Sequence, residues 1–206
     1  FYISKRVGIN GHLFNFIKLR SMVVDADSSG VDSTSSNDLR ITPIGSTIRN
    51  YKIDEIPQLL HVLFGKMSLV GPRPNVTSDV NLYTQREKEL LTVRPGITDF
   101  SSIVFSDEGD ILQDFSDPDL MYNQLIRPWK SRLGLLYIKE KNILLDLQLI
   151  FLTICAIFNR SFALKAISKI LIKLGASDKL IEVSRRETKL KAHPPPGTDE
   201  IVMKRS

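Results

Sequence analysis

The chain has 206 residues, 42% hydrophobic and 25% charged, a balance typical of a globular protein with ample material for a core. Its single cysteine, Cys155, excludes an internal disulfide and points to a reducing compartment. The +5 charge is unevenly spread: 11 Lys/Arg face 5 Asp/Glu from Arg160 onward, against 17 and 18 before it, so the basic excess belongs to the tail and suits an anionic bilayer or a nucleic acid.

The chain opens on Phe1 without a preceding signal segment, which reads as a fragment whose upstream part is missing. "KRVGINGHLFNFIKLRSM" brackets a turn with Gly8 and Gly11 and then alternates at Leu13, Phe14, Phe16 and Ile17, predicting a hairpin or strand pair. Residues 25–38 form a polar loop, expected to be mobile. "DLRITPIGSTIRNYKIDEIPQLLHVLFG" predicts two short helices, "KMSLVGPRP" an extended piece ending in a turn, and "DVNLYTQREKELLTV" one amphipathic helix stopped by Arg94-Pro95-Gly96. The Asp- and Ser-rich stretch 106–119 reads as a loop or insertion, and helices follow to about 183.

"NILLDLQLIFLTICAIF" is nearly all apolar, but Asp146 and Gln148 interrupt it and it falls short of the roughly 20 residues that cross a bilayer. It predicts a buried or interfacial helix. "FALKAISKILIKLG" places Lys165, Lys169 and Lys173 at steps of four. That pattern fits a basic helix lying among lipid headgroups and equally an ordinary surface helix with a solvated lysine stripe. Aromatic interleaving and recognition-helix patterns are absent, which argues against nucleic acid. His12 falls in a turn, and His61 and His193 read as structural or solvent-facing, with no paired spacing for zinc. The expected fold class is α+β, predominantly helical, with a small β element near the N-terminus and interfacial helices near the C-terminus.

The most informative stretch is "YKIDEIPQLLHVLFGKMSLVGPRP". Ile56, Leu59, Leu60 and Leu63 share one helical face, expected to be the buried one, with Pro57 in the first turn and Gly65 as the stop. Asp54 then sits at or near the N-cap. Its ordinary role is to accept a backbone N–H, with Glu55 complementing the helix dipole. The chemical alternative makes one carboxylate a nucleophile toward phosphorus and gives the other a divalent cation to hold. In "GPRP" the prolines fix the backbone around Arg73, whose guanidinium matches a phosphate. Lys18, Arg20, Arg49 and Arg94 are further cations, each also readable as a solvated charge.

This stretch resembles the signature of the bacterial sugar transferases, the monotopic phosphoglycosyl transferases, in which an Asp-Glu-Leu-Pro-Gln helix precedes Met-Ser-Leu-Val-Gly-Pro-Arg-Pro. The resemblance extends through "KLRSM", "RITPIGSTIR", "VRPGIT" and "YIKEKNILLDLQLIFLT", about residues 5–158. It implies a membrane-associated monotopic architecture, with a catalytic domain over 1–182, a basic, Pro-containing tail over 183–206, and a family re-entrant membrane helix upstream of this chain. It also implies transfer of sugar-1-phosphate from a UDP-sugar to undecaprenyl phosphate at the cytoplasmic face of the bacterial inner membrane, with release of UMP.

By motif position, Asp54 is the implied nucleophile and forms a covalent phosphosugar aspartate. Glu55, with Asp54, is implied to hold Mg²⁺, and Arg73, Arg49, Lys18 and Arg94 to bind phosphate. Asp146, Arg20 and Gln58 are given supporting roles. The implied partners are the donor, the lipid acceptor and the membrane, with no nucleic acid; homo-oligomerisation is left open. A catalytically inactive membrane-surface module of the same fold is the alternative. The chain departs from the family pattern at Asp99-Phe100-Ser101-Ser102, expected to bear on sugar selection, and at Gly134, where many members carry an acidic residue.

Overall fold

The computed structural model describes residues 1–26, 30, 31 and 33–204; part of the polar loop, residues 27–29 and 32, lies outside them. The expected hairpin forms from β1 (Tyr2–Val7) and β2 (Leu13–Lys18), antiparallel with Val7 opposite Leu13 and Tyr2 opposite Lys18. Helices dominate the rest, as expected. They are α1 (Pro43–Asn50), α2 (Gln58–Leu63), α3 (Thr77–Asn81), α4 (Phe100–Val104), α5 (Glu108–Leu112), α6 (Pro118–Met121), α7 (Arg127–Glu140), α8 (Ile143–Phe158), α9 (Arg160–Lys173) and α10 (Asp178–Arg185).

A second, parallel pair was not anticipated: β3 (Ser68–Val70) lies beside β4 (Gly96–Thr98), with Ser68 opposite Gly96 and Val70 opposite Thr98. Gly71 and Gly96 make this pairing possible, because a Cβ on Gly96 would sit 2.1 Å from the Gly71 nitrogen. The close approach fixes the start of the Pro-Arg-Pro display.

The main core gathers around α4, which packs on α7, α8 and α9. Phe100, Ile103, Leu112, Ile126, Leu133, Leu149, Ile167 and Leu171 are fully buried there. Gly134 also has a packing reason: a Cβ at this site would meet Leu90 at 2.8 Å, so its smallness lets α7 close against the segment before β4.

Three expectations about local structure are corrected. The single helix expected before Pro95 is broken: α3 ends at Asn81 and a 3₁₀ segment restarts over Glu87–Thr92. The cause is a reciprocal cap, in which Thr84 N–H donates to the Glu87 carboxylate (3.0 Å) and Glu87 N–H to the Thr84 hydroxyl (3.1 Å). The stretch 106–119 is not a bare loop, since it forms α5 and α6 and sends Leu112 into the core. Asp107 pins its start by pairing with Arg160 (2.8 Å) and Arg186 (3.3 Å). Finally, α2 buries the face opposite to the expected one. Ile56, Leu59, Leu60 and Leu63 are each at least half exposed, while Gln58 and His61 are buried.

On α9, Ala163, Leu164, Ile167 and Leu171 turn into the core and the three lysines face solvent, the ordinary surface-helix arrangement. Beyond α10 the chain runs along α7: Arg132 donates to the Pro194 carbonyl (3.0 Å), Gln124 to the Val202 carbonyl (2.7 Å), and the His193 ring rests 4.4 Å from Trp129. Among the described residues, no helix is long and apolar enough to cross a membrane.

Candidate active site

After α1, Lys52 adopts a left-handed conformation (φ 58°) that swings the chain into a 3₁₀ turn, Ile53–Glu55. Asp54 is thus in a turn of its own rather than at a helix cap. The residue before α2 is Pro57, which makes no side-chain cap. Asp54 Oδ1 is buried and accepts no hydrogen bond, and Oδ2 lies 3.6 Å from Lys18 Nζ. The expected capping bond is therefore not made, which leaves one carboxylate oxygen uncommitted.

Glu55 is held very differently. Arg73 donates to both of its oxygens (3.0 and 2.8 Å), and Lys18 Nζ stands 3.7 Å from Oε1. Arg73 is itself fixed by a hydrogen bond that it donates to the Ile97 carbonyl on β4. Burial would raise the Glu55 carboxyl, but the charges of Arg73, Lys18 and Lys52, with the Arg73 hydrogen bonds, outweigh it and hold the group at about 2. For Lys18, burial is the largest influence and the nearby Arg73 and Arg6 act with it; Glu55 and Asp54 oppose them, and the ammonium ends below its ordinary value.

These groups open onto a cavity of about 710 Å³. Arg6, Lys18, Arg49, Lys52, Arg73 and Lys130 contribute to its lining, as do Ser101, Ser102, Asp107 and Glu108. Ile56 and Leu59 around α2 and Ala156 and Ile157 of α8 add apolar lining.

Of the residues singled out by sequence, Asp54, Glu55, Lys18, Arg49 and Arg73 therefore come together. Arg94 and Arg20 are exposed and outside the cavity lining; Arg94 donates to the Gly65 carbonyl (2.9 Å). Gln58 is fully buried one turn beyond Asp54, with neither amide atom hydrogen-bonded. Asp146 accepts from the Tyr137 hydroxyl (2.7 Å), which also lies 3.2 Å from the Val70 carbonyl. It ties α8 to α7 and β3.

Sequence reasoning missed Lys52, Arg6, Lys130 and the role of Asp99. Asp99 caps α4, its carboxylate taking the Ser102 N–H (2.7 Å) and the hydroxyls of Ser101 and Ser102. The Asp followed by serines was the available signal. Nothing in the residue type marked Lys52 for a left-handed backbone.

Among the described residues, no three His, Cys, Asp or Glu side chains cluster as a ready-made metal cage. Mg²⁺ characteristically takes one or two carboxylates and completes its shell with water and substrate phosphates. The uncommitted Asp54 Oδ1 and the lone pairs that Glu55 retains beside Arg73 fit that kind of site.

Two carboxylates, one with an uncommitted oxygen and one clasped, beside fixed cations at the mouth of a cavity define a class of site suited to phosphate groups. The profile of the bacterial sugar transferase family matches residues 1–160, and the chain belongs to that family. It is 35% identical to the galactosyl transferase CpsE of Streptococcus agalactiae serotype III (strain NEM316), over 74% of this chain and 33% of the relative. Against the UDP-glucose:undecaprenyl-phosphate glucose-1-phosphate transferase of Klebsiella pneumoniae it is 35% identical, over 72% and 30%. Against the undecaprenyl-phosphate glucose phosphotransferase of Komagataeibacter xylinus it is 38% identical, over 74% and 28%. The matches thus span about a third of each relative's length.

Proposed function

We propose that this chain transfers sugar-1-phosphate from a UDP-sugar to undecaprenyl phosphate, in two displacements at Asp54, at the cytoplasmic face of a bacterial membrane. In the first, an Asp54 carboxylate oxygen attacks the phosphorus next to the sugar. The new O–P bond forms as the diphosphate bridge breaks, and the bridging electrons leave with UMP. In the second, an oxygen of the lipid phosphate attacks the same phosphorus, breaks the aspartyl bond and regenerates Asp54.

The observation that carries this reading is the division between the two carboxylates: Glu55 is bound on both oxygens by Arg73, whereas Asp54 keeps a buried oxygen with no partner. A nucleophile needs an uncommitted lone pair near its target, and an anion attacking an anion needs fixed positive charge around it. Lys18, Arg73, Arg49 and Lys52 supply such charge. Mg²⁺, held by Glu55 and Asp54 together with the donor phosphates, would neutralise phosphate oxygens and favour departure of UMP.

The lipid acceptor and membrane location are supported by exposed apolar side chains beside the cavity. Ile56, Leu59, Leu60, Leu63 and Phe64 are exposed around α2, and Leu147, Phe151, Ile154 and Phe158 along α8. Large exposed apolar surfaces mark contact with lipid or partners, and this one adjoins the phosphate-binding groups.

The test is to supply Mg²⁺, UDP-sugars singly and undecaprenyl phosphate, and to measure UMP release and the lipid product. The proposal expects both in equal amounts with one class of donor. UMP formed without lipid product contradicts the transfer to lipid, and neither product with any donor contradicts the whole reading and favours the inactive membrane-surface module.

A further inference from the structure

The strand that delivers Lys18 is gripped along its outer edge. β1 pairs with β2 on one side. On the other, the two residues flanking Lys18 each donate a backbone N–H to the segment that carries the carboxylates: Leu19 to the Asp54 carbonyl (3.0 Å) and Ile17 to the imidazole Nε2 of His61 (3.1 Å). The second bond is unusual because a side chain replaces a strand carbonyl as the acceptor.

His61 is well placed for this. It is 4% exposed, with its ring edge-on to Phe14 (5.5 Å) and stacked on Phe16 (6.2 Å), both side chains of the same strand. Its own carbonyl accepts from Lys66 (2.8 Å) and Met67 (3.1 Å), closing the turn that leads through β3 to Arg73. One residue thus touches the strand bearing Lys18, the helix following Asp54 and Glu55, and the approach to Arg73.

We propose that His61 is a positioning residue, whose Nε2 takes the Ile17 N–H and so holds the Lys18 ammonium between Asp54 and Glu55. The inference rests on the reading of Lys18 as a phosphate-binding group. To accept at Nε2 the ring must be neutral and carry its proton on Nδ1. Lys66 lies beyond α2, and Arg6 of β1 and Lys18 of β2 stand over the Phe16 ring (5.8 and 5.6 Å), Lys18 with the Asp54 and Glu55 carboxylates beside its ammonium. Burial first, then Lys66, lowers the tendency of His61 to protonate. The clasp is therefore closed at neutral pH and released only in acid, when the imidazole loses its acceptor.

Two variants separate this role from simple packing. His61→Phe keeps a ring but offers no acceptor, and His61→Gln reaches a similar point with an amide oxygen. Three readouts apply to the whole chain: hydrogen exchange at the Ile17 amide, the rate at which an amine-selective reagent modifies Lys18, and kcat and KM for transfer. For His61→Phe we expect Ile17 exchange and Lys18 modification at least tenfold faster and kcat at least tenfold lower. His61→Gln should recover most of each. Wild-type kcat should fall only in acid, below the ordinary histidine range, because burial and then Lys66 disfavour the imidazolium, and the Gln variant should lack that acid limb.

A folded Phe variant within twofold of wild type in exchange and modification overturns the proposal. So does a Gln variant that modifies Lys18 at least tenfold faster than wild type, an outcome that remains decisive if the Phe variant does not fold. Lys18 modification requires no turnover. If wild type transfers nothing with any donor, the proposed function fails, while exchange and modification still decide the clasp.

Discussion

Two helical segments with comparable periodicity are buried in opposite senses. On α9 the apolar positions Ala163, Leu164, Ile167 and Leu171 face the core and lysines face water. Around α2 the buried polar positions are Asp54, Gln58 and His61, spaced i, i+4, i+7, and the leucine stripe is outside. A helical pattern in the sequence identifies two faces; the neighbouring elements determine which one is covered. α9 meets the apolar surfaces of α4, α8 and α10, whereas α2 meets a strand edge and a site that require polar partners.

The comparison predicts where substitutions act. The largest effect belongs to the polar buried face: Asp54→Asn should lower transfer at least a thousandfold, about 4 kcal/mol in the barrier, with an unchanged urea midpoint. A loss below tenfold would remove Asp54 from the chemistry. Ile167→Ala, in the apolar buried face of α9, should cost about 2–5 kcal/mol in urea unfolding.

Arg73→Ala should rank next in stability, at about 3 kcal/mol, because it leaves a partly buried carboxylate without its bidentate partner. The same pair sets a pH dependence. Glu55 is held at about 2 in the fold against its ordinary 4.5, so between those values the unfolded chain binds the extra proton. The contribution is fully present above about 4.5 and lost as pH falls through about 2. Urea midpoints compared between pH 6 and 3 should fall for wild type by more than for Arg73→Ala. Equal slopes would contradict the ion-pair account.

The smallest stability effect belongs to the exposed leucines. Leu63→Gln should change stability by less than about 0.5 kcal/mol, yet reduce flotation with anionic vesicles. Retention of full flotation by a Leu60→Gln, Leu63→Gln double variant would separate this surface from membrane contact.

These contrasts also explain what could be read from residues alone. The hairpin was legible because Gly8 and Gly11 punctuate a clear alternation, and α8 and α9 because their patterns are long. The carboxylate pair and Arg73 were legible through their family motif. The exposed side of α2 was not, because periodicity carries no sign. The clasp between Glu55 and Arg73, 18 residues apart, depends on the parallel approach of β3 and β4 and on the contact between Gly71 and Gly96. No local pattern encodes such long-range meetings. His61 read as structural or solvent-facing; it is buried, and its strand-edge partner lies 44 residues away.

The most direct test of Asp54 as nucleophile is intact-mass spectrometry of the protein with Mg²⁺ and single UDP-sugars, without lipid acceptor. The account predicts a gain of one phosphosugar with a competent donor, absent in Asp54→Asn and reversed on adding undecaprenyl phosphate. The contradicting result is lipid product formed by wild type while no such adduct is detected, or an adduct that persists in Asp54→Asn.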